Sequence, residues 1–510
     1  MDKSVVTIGP AMPTWDVTLE TNRAGDLPIF LQVARAITED IQRGRLRPGI
    51  KLPSSRALAR QLRVHRNTVL AAYGELIAEG WLITSPARGT FVSKSIPEPR
   101  VRTKRLSATS AGGAPPALAY RLQSAPTAHR PEVLPSGCLD LSSSNPDLCA
   151  FPIDALSRAY RRALRQYSPH LLSYCDPEGH AALREAIAAM ASATRGLTAA
   201  PANVFITRGA QMAATLIGRS IGGPGDTIAV EALGYQPGWE SFRQAGLRLV
   251  PIPVDQQGLR VDLLNDFADA SRLRAVYLTP HHQYPTTVTL SPGRRMALLD
   301  LAVTRGFAII EDDYDHEFHY DGRPVMPLAS LDRHGAVIYI GTLSKVLAPG
   351  LRIGYVIAPK LLIEALAGHR SFVDACGDHV VEAAVARMLN DGEVPRYINR
   401  LRRIYLKRRE SMVEILQSQL RGAITFSPPS GGMAIWAKVT PEIDVDAWAA
   451  SALSHGVAFH TGRRYTFDGA PAPYVRLCFA SLAEQHIQEA VSRMAAALPV
   501  LAPHRISSTS

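Results

Sequence analysis

From Leu139 to about Leu498 the chain alternates short apolar runs with helix-like stretches, and this alternation restricts the fold more than any other feature. The runs are Val204–Thr207, Thr227–Val230, Leu249–Val254, Ala275–Thr279, Phe307–Ile310, Val337–Ile340 and Gly354–Ala358. Strands that are apolar along their whole length are buried on both faces, so the pattern predicts an α/β fold with a mainly parallel central sheet flanked by helices. Ligands of such sheets gather outside the carboxyl ends of the strands. The polar residues that stand out in this half follow the runs instead of interrupting them.

At 510 residues, 46% of them apolar, the chain is long enough for more than one core. Its net charge of +11 is unevenly placed, because the stretch from Arg23 to Arg105 carries 16 Lys+Arg against 6 Asp+Glu. That asymmetry predicts a polyanion partner for the N-terminal part. After Lys94 come prolines at 97, 99, 115, 116, 126, 131 and 135 among small residues, a composition that cannot bury enough apolar surface to order itself and so reads as a linker. The five cysteines (138, 149, 175, 376 and 478) are odd in number and contain no Cys-x-x-Cys pair, so no disulfide framework and no zinc or other metal site is expected. The first twenty residues hold Asp2, Asp16 and Glu20 without a long apolar stretch, and no run reaches the length of a membrane span. The expectation is a soluble, cytoplasmic protein with no membrane partner.

Ahead of the linker, Phe30, Ala34, Ile37 and Ile41 recur at helical spacing up to Arg43-Gly44. Leu52-Pro53-Ser54-Ser55 supplies an N-cap for a short helix, and after Arg63-Val64-His65 a third helix is expected to turn Val69, Ala72, Tyr73, Leu76 and Ile77 inward. Two short strands around Ser85-Pro86-Ala87-Arg88 complete a winged helix-turn-helix. The start of the third helix presents His65, Arg66, Asn67 and Thr68, side chains able to reach base edges and phosphates. The segment resembles the GntR-type DNA-binding domain through Leu52-Pro53-Ser54-Ser55-Arg56, His65-Arg66-Asn67-Thr68-Val69, Glu79-Gly80 and Gly89-Thr90-Phe91-Val92. By that resemblance Arg56, Arg66 and Thr68 meet double-stranded DNA, with Arg88 and Gly89 at the wing tip near the minor groove. The domains read as a tail (1–22), a winged helix-turn-helix (23–94), a Pro-rich linker (95–136), a large α/β domain (137–500) and a second tail (501–510).

In the large domain, Lys345 follows the apolar run 336–340 within Gly341-Thr342-Leu343-Ser344-Lys345 and precedes Arg352. A desolvated lysine loses its proton readily and can condense with an aldehyde cofactor. Ile309-Ile310-Glu311-Asp312-Asp313-Tyr314-Asp315 is a second apolar strand ending in acid, and pyridoxal phosphate needs both a Schiff-base lysine and a carboxylate against its ring nitrogen. Each element alone has an ordinary structural reading. Their order resembles the fold-type-I pyridoxal-phosphate aminotransferases: Tyr174 to Gly179, Gly209-Ala210-Gln211, Gly234-Tyr235, Pro285-Thr286, Asp312-x-Tyr314, Ser344-Lys345, Arg352 and Arg476.

The resemblance implies pyridoxal 5'-phosphate on Lys345, with Asp312 on the pyridinium nitrogen, Tyr314 on the phenolic oxygen and Tyr235 stacked on the ring. Ala210, Gln211, Thr342, Ser344 and Arg352 would surround the phosphate, Tyr174 would reach the phosphate of a partner subunit, and Arg476 would grip a carboxylate. The departure is at Pro285-Thr286-Thr287, where Tyr284 stands in the position of the family's Asn and Thr287 in that of its Gly. Together the two halves resemble the MocR (GabR-like) subfamily of GntR regulators. This implies a homodimer, domain-swapped, that senses an amine or amino-acid-like effector by external aldimine formation at a vestigial or weak aminotransferase domain. The alternative is an active pyridoxal-phosphate aminotransferase with an appended DNA-binding domain, which turnover with a 2-oxo acid separates from the first.

Overall fold

The computed structural model describes residues 28–86, 88–94, 133–265, 272–322 and 325–499. The tails at 1–22 and 501–510 and most of the 95–136 linker lie outside the described residues, so those readings rest on sequence. The chain divides into two compact units.

In the first unit, α1 (Ile29–Gln42), α2 (Ser55–Gln61) and α3 (Arg66–Ala78) precede an antiparallel pair, β1 (Leu82–Ser85) and β2 (Gly89–Val92). Ser54 caps α2 by accepting from the Ala57 amide at 3.2 Å, and the His65 ring caps α3 by accepting from Asn67 N. Val33, Ile37, Leu58, Val69, Leu76, Leu82 and Val92 close the core. Strand β2 of the wing is tied to the segment between α1 and α2: Val92 N donates to Ile50 O and Leu52 N to Thr90 O, both at 2.9 Å. One inward assignment changes. Ile77 is 39% exposed, because Val69, Ala72, Tyr73 and Leu76 already form the buried stripe and Ile77 falls beside it in the last turn.

The second unit is built on a seven-stranded sheet. Its strands are β3 (Val204–Thr207), β4 (Thr227–Glu231), β5 (Arg248–Ile252), β6 (Leu273–Leu278), β7 (Ala308–Asp313), β8 (Val337–Thr342) and β9 (Gly354–Ile357), in the order β3-β9-β8-β7-β6-β4-β5. The apolar runs occupy these strands to within a few residues. All neighbours are parallel except β9, which runs against both β8 and β3. Two buried layers of side chains, around Phe205, Ile217 and Trp239 on one face and Val276, Leu298 and Ile309 on the other, sandwich the sheet. The long helix Glu393–Gln419 and a four-stranded antiparallel sheet of β10 (Ile424–Thr425), β11 (Ala434–Val439), β12 (His460–Thr461) and β13 (Tyr474–Cys478), in the order β10-β11-β13-β12, share a further large core with the main sheet.

Six strands of the main sheet point the same way, so Thr207, Glu231, Leu278, Asp313 and Thr342 mark one edge of it. Gly354, the first residue of β9, pairs with Thr342 on one side and Thr207 on the other. A side chain at Gly354 would come within 2.8 Å of the Gly209 Cα, so this crossing of β3, β8 and β9 requires glycine.

Candidate cofactor and effector site

The carboxyl edge of the main sheet opens into a cavity of 340 Å³, within the range of small-molecule pockets. It brings together Ala210, Gln211, Tyr235, Tyr284, Asp312, Tyr314, Thr342, Ser344, Lys345 and Arg352, ten residues singled out in the sequence. Ser142–Ser144, Thr279, His460 and Arg464 are also in the lining.

Lys345 donates from Nζ to Ser144 O at 3.1 Å. Burial, reinforced by the positive charge of Arg476, lowers its pKa to about 8, so the neutral amine is a substantial species near neutrality. Asp312, the penultimate residue of β7, lies inside the protein. Tyr277 OH donates to its Oδ2 at 2.7 Å, while Oδ1 has no partner. Burial raises Asp312 to about 7; the Tyr277 bond opposes the shift and Asp313 and Asp315 add to it. A buried carboxylate with an unused oxygen is short of one donor, and the protonated ring nitrogen of pyridoxal phosphate is a group that could supply it.

The other end of the cavity suits an anion. Helix α4 (Ala210–Ile221) starts straight after β3, with Gly209 at φ +87° as its N-cap, leaving the amides of its first turn free of helical partners. The guanidinium of Arg352 lies across Gly209 and donates to Arg208 O at 2.6 Å; Arg352 itself takes φ +53°, an uncommon conformation for a side-chain-bearing residue. Thr342 Oγ1 accepts from Ser344 N at 3.1 Å. The residues present therefore fit both ends of pyridoxal phosphate.

Tyr284 is the centre of an aromatic box. Its ring stands edge-on to Tyr235, Tyr314 and Tyr465, with centroids 5.8, 5.8 and 5.5 Å away. The loop that carries it is held by Gln283, whose Oε1 accepts from Thr286 N and Oγ1 and whose Nε2 donates to Leu233 O. Thr287, at the position where the resemblance implies glycine, has φ +63°, an uncommon conformation for a side-chain-bearing residue.

Two singled-out residues do not line the cavity. Tyr174 is 93% exposed. Arg476, in β13, is 1% exposed and stands behind the lining: Nη1 donates to Ser144 Oγ at 2.5 Å, and the guanidinium carbon lies 4.7 Å from the Tyr284 ring centroid. Its Nε has no partner, and no carboxylate among the described residues forms an ion pair with it. Tyr277, Tyr465 and the Ser142–Ser144 run were not foreseen, since tyrosines in apolar runs and a bare serine run carry no distinctive spacing.

In the first unit, Arg56 on α2 and His65, Arg66 and Asn67 at the start of α3 are exposed, with Thr68 half-buried beside them. Arg66 Nε reaches Ser55 Oγ at 3.4 Å, which links the two helices at this face. Arg88 and Gly89 (φ +110°) are exposed at the wing, where the Lys51 side chain approaches Gly89.

Comparison with known proteins agrees with both halves. Residues 30–92 match the family described as "Bacterial regulatory proteins, gntR family", and residues 136–494 match "Aminotransferase class I and II". The chain is 30% identical to the probable rhizopine catabolism regulatory protein MocR of Rhizobium meliloti, over 95% of this chain and 96% of that one. It is 32% identical to the HTH-type transcriptional regulator TauR of Rhodobacter capsulatus, over 96% and 100%. Among solved structures, the α-aminoadipate aminotransferase LysN of Thermus thermophilus, complexed with N-(5'-phosphopyridoxyl)-L-leucine, superposes with a TM-score of 0.66 at 28% identity, covering 71% of this chain and 92% of LysN. The chain belongs to the MocR subfamily of GntR transcriptional regulators, DNA-binding proteins that carry a pyridoxal-phosphate aminotransferase class I and II domain.

Proposed function

We propose that the regulator senses a small molecule bearing a primary amine and an anionic group, and that Lys345 and Arg476 recognise its two ends. The observation that carries this reading is the buried Arg476 guanidinium, which has an unused Nε and no carboxylate partner among the described residues yet stands directly behind Ser144, the residue that Lys345 contacts. A buried guanidinium without a counter-ion favours an incoming carboxylate or sulfonate.

When bound, pyridoxal phosphate supplies an aldehyde carbon at which one primary amine can replace another. Lys345 would be the amine that carries it, with its lowered pKa making the neutral form available. Asp312 would hold the ring-nitrogen proton through Oδ1, Tyr314 would serve the phenolic oxygen, and Tyr235 would pack on the ring. Ala210, Gln211, Thr342, Ser344 and Arg352 would hold the phosphate. In a homodimer, which aminotransferase folds typically form, the exposed Tyr174 reaches the partner's phosphate, and each DNA-binding unit lies against the partner's large domain in a swapped arrangement. Arg56, His65, Arg66, Asn67 and Thr68 contact DNA from α2 and α3, with Arg88 and Gly89 at the wing. Occupation of the site regulates DNA binding to the extent that the effector favours one arrangement of the dimer over another.

The test is a visible-absorbance screen of small amines against the yellow protein, followed by gel shifts with the amine that moves the cofactor band. Arg476→Ala should stay yellow and bind DNA but lose the response, and Lys345→Ala should lose it too. A normal response in Lys345→Ala would show that exchange at this lysine is not the trigger.

A further inference from the structure

Beside Tyr284, but outside the cavity lining, the structure assembles a cluster of histidines that the cofactor reading does not use. His281 and His282 end the segment leading to Tyr284, and His316 and His319 follow β7. Ring centroids lie 4.4 Å apart for His281–His282, 4.8 Å for His281–His316, and 6.1 Å for both His281–His319 and His282–His319. His281 is 2% and His282 1% exposed. Burying an imidazole costs free energy unless its nitrogens are partnered. Yet both nitrogens of His281, Nε2 of His282 and Nδ1 of His319 have no partner.

The partners that do exist fix which nitrogens are free. The far nitrogen of His319, Nε2, donates to the backbone carbonyl of Asp321 at 2.6 Å, which leaves Nδ1 as a lone pair. The far nitrogen of His282, Nδ1, stands 2.8 Å from Asp315 Oδ1; a proton there donates to the carboxylate and leaves Nε2 as a lone pair. An outer ring N–H given to a carboxylate or backbone carbonyl, with the inner nitrogen left free, is the arrangement of metal-ligating histidine. One ligand atom from each of His281, His282 and His319 lies within 4.8 Å of the others. Binding at about 2.0–2.1 Å would draw these atoms to about 3.3 Å from one another. Glycine at 431 keeps the space beside His282 Nε2 clear, since a Cβ there would come within 2.3 Å of that nitrogen.

We propose that His281, His282 and His319 form a binding site for a late first-row divalent cation, with zinc the best match. Three neutral imidazoles favour zinc and its neighbours over magnesium or calcium, which prefer oxygen ligands. Three protein ligands leave a fourth tetrahedral position for water. A second grouping, His281 with Asp313 and His316, is also within reach. It is the weaker set, because Asp313 Oδ2 already accepts from Tyr339 OH at 2.8 Å and lies 2.9 Å from His316 Nδ1. A bound ion would tie the segment before Tyr284 to the loop after β7, which carries Tyr314.

The test is zinc retention by the untagged, full-length, cofactor-loaded protein. The chain is stripped with chelator, loaded with ZnCl2, dialysed against metal-free buffer and measured by elemental analysis. About one zinc per chain is expected, with X-ray absorption showing nitrogen ligands at about 2.0–2.1 Å. Retention should be lost in His281→Gln and in His319→Ala, the second chosen because its half-exposed side chain can be removed with little risk to folding, and kept in the exposed-surface control His334→Ala. Far-UV circular dichroism confirms that each variant is folded. Failure of the wild type to retain zinc, or full retention in folded His319→Ala, would overturn the proposal. Loss in His316→Ala with retention in His319→Ala would overturn this ligand set in favour of the other.

Discussion

The two units place their functional side chains in opposite environments. On the first, Arg56, His65, Arg66 and Arg88 stand in the open on a small core. On the second, Lys345, Asp312 and Arg476 are set by their neighbours: burial brings Lys345 down to about 8 and Asp312 up to about 7. Exposed cations act on a polyanion by number and position and are screened by salt. Buried groups act through chemistry that depends on what surrounds them. Function in the first unit should therefore be lost gradually as side chains are removed, whereas one substitution in the second should abolish it.

The largest expected effect follows directly. Lys345→Ala should eliminate the borohydride-reducible pyridoxal phosphate adduct, read as the mass increment on the reduced protein. Because the first unit has its own core, affinity for DNA without effector should stay within about twofold, as for separated, independent sites. Parallel loss of DNA binding would mean that the exposed unit depends on the buried site even in the basal state.

In the first unit, Arg66→Ala should weaken binding to the cognate operator by about 1–3 kcal/mol if the guanidinium reads a base edge, with a smaller loss on random DNA. Equal losses on both sequences, together with a shallower salt dependence, would assign Arg66 to phosphate alone. Binding isotherms at two salt concentrations distinguish these outcomes.

The difference in environment also explains what could be read in advance. Residues at strand ends were legible, because an apolar run followed by Asp312-x-Tyr314 or Ser344-Lys345 shows both the strand and the end that lines the cavity. Residues brought in from a distance were not: Ser144 meets Lys345 across 201 positions and Arg476 across 332. Nor was the direction of β9 read, although the interval 343–353 before it holds a 3-10 turn instead of the helical crossover that a parallel connection needs. The histidine cluster escaped because its members come from two segments with no cysteine among them to mark a metal-ligand spacing.

A smaller effect concerns acidity at Lys345. The neutral amine is the reactive form, so the rate of pyridoxal phosphate capture, followed by stopped-flow absorbance at fixed cofactor concentration, should rise about tenfold per pH unit below about 8 and flatten above it. A rate still climbing beyond about pH 9 would show that the lysine behaves as though exposed, with the ordinary lysine pKa, and would erase the contrast between the units at its central residue.

The smallest effect tests the exposed unit at its one misjudged helix position. Leu76 and Ile77 are adjacent on α3, but Leu76 is fully buried and Ile77 is 39% exposed. Leu76→Ala removes packed methyl groups and should cost about 2–5 kcal/mol. Ile77→Ala removes a side chain that contributes little to the core, while alanine is the better helix former, so its net effect should fall within about 0.5 kcal/mol of zero. Urea unfolding of the two variants compares them directly. A cost for Ile77→Ala approaching that of Leu76→Ala would mean that this side chain is covered in the functional assembly, which would make α3 a packing surface there.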